Sequence, residues 1–81
     1  MLDMIRYLES LVNSTIYVIT RSGVVKGILK EVGRNGSLLL EEYEVVRGRV
    51  EEVFMGRQVL IRGDNVVGVA TDMDDEYTGD N

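Results

Sequence analysis

Cysteine, histidine and proline are all absent from this sequence of 81 residues. Without cysteine, neither a disulfide nor a thiolate metal site can reinforce the core. Without histidine, the side chain that most often acts as a general base or a metal ligand is missing. A chain of this length buries only about 60% of the surface that its unfolded form exposes. Association with other copies is therefore the simplest source of further stability.

Long apolar runs are also missing. None approaches the roughly 20 residues that span a bilayer. The first residues mix Asp3, Arg6 and Glu9 into the apolar pattern, which is unlike a signal peptide. We therefore expect a soluble, cytoplasmic protein with no membrane partner.

The charge is unevenly distributed along the chain. The whole sequence has 9 basic and 14 acidic residues, a net charge of −5, but five of the acids lie between Asp72 and Asp80. Residues 1–71 therefore carry nine charges of each sign, and the predicted domain, residues 1–72, is close to neutral. We interpret residues 73–81 as an acidic, disordered tail. The tail does not fit a calcium loop, because Tyr77 occupies the sixth position, where glycine is required.

Nothing in the sequence indicates an enzyme. No nucleophile is paired with a base, and no glycine-rich loop suits a phosphate group. The acid pairs Glu41-Glu42 and Glu51-Glu52 lie on predicted strands, where neighbouring side chains point to opposite faces. We interpret both pairs as solvated edges. Accordingly, no catalytic residue, metal site, cofactor or small-molecule substrate is predicted.

Hydrophobic periodicity predicts one short helix followed by five strands. Apolar residues recur at helical spacing over residues 3–12. Runs of β-branched residues, separated by turn-forming pairs such as Asn35-Gly36, predict the strands. Gly27 is predicted to mark a bend or a close approach of two backbones within a strand, Gly56 a bend within a strand, and residues 47–49 a turn. The predicted strands cover residues 15–20, 24–32, 37–46, 50–62 and 65–71.

The short connections between these strands exclude a parallel sheet, which needs crossovers of about a dozen residues. Strongly bent antiparallel strands curl into a small barrel. The predicted fold is therefore all-β with an N-terminal α-helix, its five strands forming a small open barrel. The last strand is short and apolar, with Val67 and Val69 predicted on one face and Val66 on the other. Its edge needs a partner. An identical neighbour that pairs through a different strand can supply one, and such pairing closes into a ring if the rotation permits.

Two segments carry recognisable motifs. The segment MGRQVLIRGDNVVGV (55–69) contains a glycine, an apolar run, Ile-Arg-Gly and Asn-Val in that order, and the segment LESLVNSTIYVITRSGVVKGILKEV (8–32) contains Gly23 and Gly27. These segments resemble the second and first motifs of the Sm and Sm-like (LSm) proteins of the archaeal and eukaryotic type, and the resemblance of 55–69 is the stronger. The resemblance as a whole covers about residues 8–71. The resemblance implies an N-terminal helix on a five-stranded SH3-like barrel. It also implies rings of six to eight subunits, usually seven, with RNA bound at the lumen.

The resemblance also assigns site residues. In the family, the arginine of Ile-Arg-Gly faces the pore, stacks on a uridine base and hydrogen-bonds to it, and Arg62 takes this position. A guanidinium plane suits this role, because it stacks on bases and offers several donors. Asp64 either orients Arg62 or contacts the base. For Gly63 we favour a role in the turn itself.

The second half of the family's base pocket is altered in this chain. The family loop usually reads Asp, any residue, His or similar, Met, Asn, and the residues aligned with it here are Gly33, Arg34, Asn35, Gly36 and Ser37. Asn35 replaces a stacking ring, and Ser37 replaces the uracil-reading amide. Arg34 is either a compensating cation or a solvated charge at the tip of the turn.

Two functions follow from these observations. The first is a homo-oligomeric, heptameric Sm-like ring that binds single-stranded, U-rich RNA through a weakened base pocket and serves RNA processing or metabolism. The alternative is a ring scaffold with little or no RNA binding, which the altered loop and the acidic balance favour.

Overall fold

The computed structural model describes residues 3–73 as one short helix followed by six strands. The bounds are α1 Met4–Glu9, β1 Thr15–Thr20, β2 Gly23–Val32, β3 Leu38–Gly48, β4 Val53–Met55, β5 Gln58–Ile61 and β6 Val66–Ala70. A single 3-10 turn, Gly63–Asn65, joins β5 to β6. All but one residue of the predicted acidic tail lie outside the described residues.

The six strands form one antiparallel sheet in the order β4-β5-β3-β2-β1-β6. The sheet bends through register shifts between β2 and β3 and does not close, so β4 and β6 are its two edges. Its concave face holds the core, whose fully buried side chains are Ile16, Val18, Val25, Leu29, Leu38, Leu40, Val59 and Ile61. Burying each such side chain stabilises the fold by about 1.5–3 kcal/mol. The predicted class, an N-terminal helix on an open, bent antiparallel sheet, is confirmed.

Helix α1 is shorter than the predicted residues 3–12. Asp3 caps its first turn, since its side chain accepts a hydrogen bond of 3.2 Å from the backbone N–H of Arg6. After Glu9 the hydrogen bonds tighten to the i−3 pattern. The chain then turns at Asn13, which has a φ of 75° and donates its N–H to the carbonyl of Leu29 at 2.7 Å. This bond to β2 redirects the backbone and ends the helical segment.

The predicted fourth strand, residues 50–62, is wrong as a single element. Residues 53–61 instead form a tight hairpin of β4 and β5, with Val53 opposite Leu60. Gly56 turns the hairpin at a φ of 62°, a left-handed conformation that favours glycine. The sheet therefore has six strands where the sequence predicts five.

Strands β1 to β3 agree more closely with the sequence. Strand β1 has its predicted bounds, and β2 begins one residue early. The predicted close approach at Gly27 is confirmed, because a Cβ there would lie 3.1 Å from the carbonyl oxygen of Glu41. Strand β3 continues to Gly48 through the predicted turn at 47–49, because Gly48 pairs with Gly23 of β2.

The predicted faces of the last strand are also wrong. The β1–β6 pairing matches Thr20 with Val66 but Ile19 with Gly68, so one residue of β6 bulges out of the ladder. As a result, Val66 and Val69 both pack against the core, whereas Val67 is 64% exposed. A bulge of this kind breaks the two-residue alternation on which the prediction rests.

In the part of the chain that the structure describes, the only α-helix is six residues long, far too short to cross a membrane.

Candidate functional site

Two turns at one end of the sheet come into direct contact. The first, residues 33–37, joins β2 to β3, and the second, residues 62–65, joins β5 to β6. A Cβ on Gly63 would lie 2.1 Å from the carbonyl oxygen of Asn35 and 3.0 Å from the carbonyl carbon of Gly36. No side chain fits in that space, so Gly63 allows the two backbones to touch. The two segments that carry the sequence-predicted site residues are therefore adjacent.

Arg62 extends from the second turn into solvent. It has an extended backbone, with φ −67° and ψ 143°, and its side chain is 66% exposed. Its Nε lies 3.6 Å from Oε1 of Glu52 and 3.6 Å from Oδ1 of Asp64. The guanidinium is thus flanked by two carboxylates while most of its surface remains accessible.

Glu52 lies beneath this turn, and its interpretation as a solvated edge is wrong. Its side chain is only 1% exposed. One oxygen, Oε2, accepts hydrogen bonds from the Arg62 backbone N–H at 3.2 Å and from Nδ2 of Asn65 at 2.8 Å. The other oxygen, Oε1, faces the Arg62 guanidinium. A single buried carboxylate therefore ties together the beginning of the turn, its end and its charged side chain.

The two carboxylates at Arg62 differ in their freedom to move. Asp64 is 75% exposed, so its contact with Arg62 is screened by water and is worth little on its own. Glu52 is fixed by hydrogen bonds from two other groups, and such bonds to a charged acceptor contribute about 1.5–3 kcal/mol each. Glu52 therefore determines where the Nε side of the guanidinium is held.

The first turn is closed by its own polar groups. The Gly33 N–H donates to the carbonyl of Ser37 at 2.8 Å, and Gly36 has a φ of 86°, as the predicted hairpin turn requires. The side-chain oxygen of Asn35 accepts from the Ser37 backbone N–H at 3.1 Å and also from the Ser37 hydroxyl. The two side chains predicted to read a base are thus bonded to each other.

The remaining sequence-predicted residue, Arg34, is exposed at the tip of the first turn. The structure thus joins the predicted residues as two pairs, Arg62 with Asp64 and Asn35 with Ser37, and brings the turns together at Gly63. Sequence reasoning missed Glu52 and Asn65. Asn65 lies inside the recognised motif, but no local pattern marks Glu52 as buried.

Within residues 3–73, no three acidic side chains are grouped so as to hold a metal ion. Glu52 and Asp64 are instead partnered by a cation and by N–H donors. The arrangement can present the Arg62 guanidinium plane, with a carboxylate on each side of its Nε, to a flat, hydrogen-bonding ligand. The formal charges of Arg62, Glu52 and Asp64 add to −1, so the cluster does not attract a free anion.

The two edges of the sheet are both apolar. On one side, Val67 of β6 lies beside Met4 and Tyr7 of α1, which are 57% and 44% exposed. On the other side, all three residues of β4 are exposed, and the ring of Phe54 packs at 5.0 Å from that of Tyr43. Among residues 3–73, no strand pairs with the outer side of β4 or β6.

Comparison with known proteins identifies relatives of this chain. The sequence matches the LSM domain over residues 6–71. An SmAP (LSm) protein from Methanococcus vannielii is 25% identical, with a TM-score of 0.67 over 83% of this chain and 91% of that protein. A heptameric archaeal Sm protein is also 25% identical, with a TM-score of 0.67 over 84% and 98% of the two chains.

A further similarity concerns the fold alone. An Sm protein from Pyrococcus abyssii, solved in complex with a uridine heptamer, is 19% identical and has a TM-score of 0.72 over 88% of this chain and all of that one. No curated protein sequence matches this chain.

Proposed function

Because this chain belongs to the LSM domain family, which its match over residues 6–71 shows, we propose that it forms a closed ring that binds single-stranded, U-rich RNA. The family match confirms the resemblance of the two sequence motifs. One structural neighbour is a heptamer and another holds a uridine heptamer, and both properties are carried over here as parts of the proposal. A role in RNA processing or metabolism is proposed with them.

The observation that carries the proposal is the exposed guanidinium of Arg62 at the contact between the two turns. The backbone of Gly63 touches that of Asn35, so the arginine and the first turn lie at the same end of the sheet. The Arg62 side chain is paired at Nε with Glu52 and is 66% exposed. A guanidinium plane can both stack on a nucleotide base and donate hydrogen bonds to it.

The two open edges support the proposed ring. Strands β4 and β6 are different surfaces, so pairing one with the other between copies is heterologous, and such pairing closes into a ring where the rotation between copies permits it. Val67 at one edge and Val53 at the other are 64% and 54% exposed, and pairing would remove both from water. Seven subunits is the proposed number, by analogy with the heptameric neighbour.

The proposed base pocket is weaker than that of the family. Asn35 has no ring to stack on a base, and the short hydroxyl of Ser37 is bonded to Asn35. Stacking is worth about 1–3 kcal/mol for each base in single-strand binders, so the loss of one stacking partner lowers affinity by this order. Repetition around the ring recovers part of it, because each further nucleotide binds from a high effective concentration.

A ring scaffold without RNA is the second candidate. The mutual bonding of Asn35 and Ser37 favours it, since it occupies the Asn35 amide oxygen and the Ser37 hydroxyl proton that would otherwise be open to a base. The net charge of −5 per chain also favours it, because phosphate contacts dominate the affinity of most RNA-binding proteins. In this case the apolar groove between α1 and β6 or the outer faces of the ring would meet a protein.

Fluorescence anisotropy with labelled oligouridine and oligoadenosine separates the two functions. We expect weak binding that prefers U, abolished by Arg62→Ala. Arg62→Lys should keep some electrostatic attraction but lose the preference, because an ammonium group does not stack as a plane. Each variant is first shown by native mass spectrometry to have the wild-type ring mass.

A loop variant provides the opposite test. Gly33→Asp, Asn35→His and Ser37→Asn together restore the family's loop residues. They must be made together, because a Cβ on Gly33 lies 2.7 Å from the Ser37 hydroxyl and 3.1 Å from the Asn35 amide oxygen. The triple variant should bind U-rich RNA more tightly and with a sharper preference over A. If it remains a ring and still ignores RNA, the scaffold function replaces the RNA-binding function.

A further inference from the structure

We infer that Glu52 is a positioning residue that makes Arg62 select for a base rather than for phosphate. This inference rests on the proposed binding of RNA at Arg62. Glu52 belongs to neither of the two recognised motif segments and is not expected to touch RNA, because its side chain is 1% exposed.

The geometry supports a positioning role. A buried carboxylate keeps its place only if its oxygens are satisfied, and Glu52 Oε2 is satisfied by the Arg62 backbone N–H and by Asn65 Nδ2, at 3.2 and 2.8 Å. These bonds direct the second oxygen, Oε1, to a point 3.6 Å from the Arg62 Nε. The Arg62 guanidinium therefore has beside its Nε a counter-charge whose position is set by the two hydrogen bonds to the turn.

The charge of Glu52 has a second effect. The formal charges of Arg62, Glu52 and Asp64 add to −1. A phosphate group would meet two nearby carboxylates there, whereas an uncharged base would meet only a planar donor. Glu52 thus lowers general attraction to the RNA backbone and keeps the guanidinium plane available for a base.

The Glu52→Gln substitution isolates this role. The one side-chain carbonyl oxygen that remains can still accept hydrogen bonds from the Arg62 backbone N–H and from Asn65, which keeps the turn bonded. The other terminal group of the new side chain is an amide NH₂ that faces the Arg62 guanidinium. Because both groups are hydrogen-bond donors, the contact between position 52 and the Arg62 Nε is lost. The adjacent Glu51 is the matched control, because its side chain is 73% exposed and contacts only Arg49 within the described chain. Glu51→Gln makes the same change of charge one residue away.

The experiment measures binding of oligouridine and oligoadenosine to the wild-type, Glu52→Gln and Glu51→Gln rings across a series of salt concentrations. For Glu52→Gln we expect the preference for U over A to fall by about 2- to 10-fold, the range set by releasing one immobilised side chain. Binding to both RNAs should become more sensitive to salt. The plot of log binding constant against log salt concentration should be steeper by up to about 0.7 for each subunit that contacts the RNA. Glu51→Gln should leave the preference unchanged.

A merely structural role for Glu52 predicts a different result. Loss of folded protein lowers binding to both RNAs in proportion and alters neither their ratio nor the salt slope. That result, in a variant with the wild-type ring mass, overturns the inference while the proposed function stands. A wild-type ring that binds neither RNA overturns the proposed function and this role with it.

If Glu52→Gln does not give the wild-type circular dichroism spectrum, Glu52→Asp replaces it. Aspartate keeps the charge, but its carboxylate is one methylene shorter and cannot reach the turn and the guanidinium together. The preference for U should then fall while the salt slope stays as in the wild type. An unchanged preference in a folded Glu52→Asp ring also overturns the inference.

Discussion

Replacing Gly63 with alanine tests whether the two turns really meet at the site. The added Cβ would lie 2.1 Å from the carbonyl oxygen of Asn35, whereas ordinary contacts begin near 3.4 Å. Both sides of this contact are backbone, so no flexible side chain can move aside. The turns must separate by more than 1 Å, which breaks the packing beneath Arg62. Overpacking of this kind costs about 1–3 kcal/mol.

The assay is thermal unfolding followed by circular dichroism, at one protomer concentration because oligomerisation shifts the Tm. Each kcal/mol lost lowers the Tm of a domain of this size by about 4–8 °C. The matched control is Gly68→Ala, whose Cβ finds its nearest neighbour, Ile19 Cδ1, at 3.7 Å. That variant should lie within about 0.5 kcal/mol of the wild type. Equal Tm values for the two variants would refute the contact between the turns.

Three further perturbations follow from the fold. Glu52→Ala removes the acceptor of an exposed and of a part-buried N–H donor, and we expect it to cost about 1–3 kcal/mol in total, because water can replace the acceptor of the exposed donor. Urea unfolding should show that loss, whereas the unfolding free energy of Glu51→Ala should stay within about 0.5 kcal/mol of the wild type. Equal losses in the two variants would contradict the stabilisation of the turn by Glu52. Val67→Asp, at an exposed edge position, should dissociate the ring into folded monomers in sedimentation velocity, and an unchanged ring mass argues against pairing at β6. Gly56→Ala should cost about 1–2 kcal/mol of unfolding free energy from its φ of 62° alone, because nothing lies within 4 Å of the added Cβ, and unchanged stability would exclude the hairpin.

The sequence predicts best the elements that local chemistry determines. The run TIYVIT is β-branched and aromatic, and β1 has the bounds predicted from it. The hairpin of β4 and β5 was missed because a glycine within an apolar run is compatible with either a bend or a turn. The pairing of Val53 with Leu60 distinguishes a turn from a bend, and this pairing is visible only in the folded structure. The bulge at Val67 was missed for the same reason, since it depends on the register of β6 against β1.

The site divides in the same way. The motif places Arg62 and Asp64 two residues apart on one turn, and their proximity at 3.6 Å follows from that spacing. The contact between the two turns, by contrast, cannot be predicted from spacing, because it depends on the folded sheet bringing residues 35 and 63 together. Glu52 could not be identified from its pattern, because an acidic residue beside another acid in a strand-like run indicates solvent exposure. Its burial arises from the loop before β4 passing beneath Arg62 and Asn65, which supply its partners.

Native mass spectrometry of the wild-type protein with a short U-rich RNA tests the central claim most directly, with Arg62→Ala measured in parallel. We predict one closed ring, of seven subunits, that gains the mass of bound RNA, and an Arg62→Ala ring of the same subunit number that gains none. A folded wild-type monomer at tens of micromolar would contradict the assembly. A ring whose mass does not change with RNA, or an Arg62→Ala ring that binds RNA as the wild type does, would contradict the proposed site.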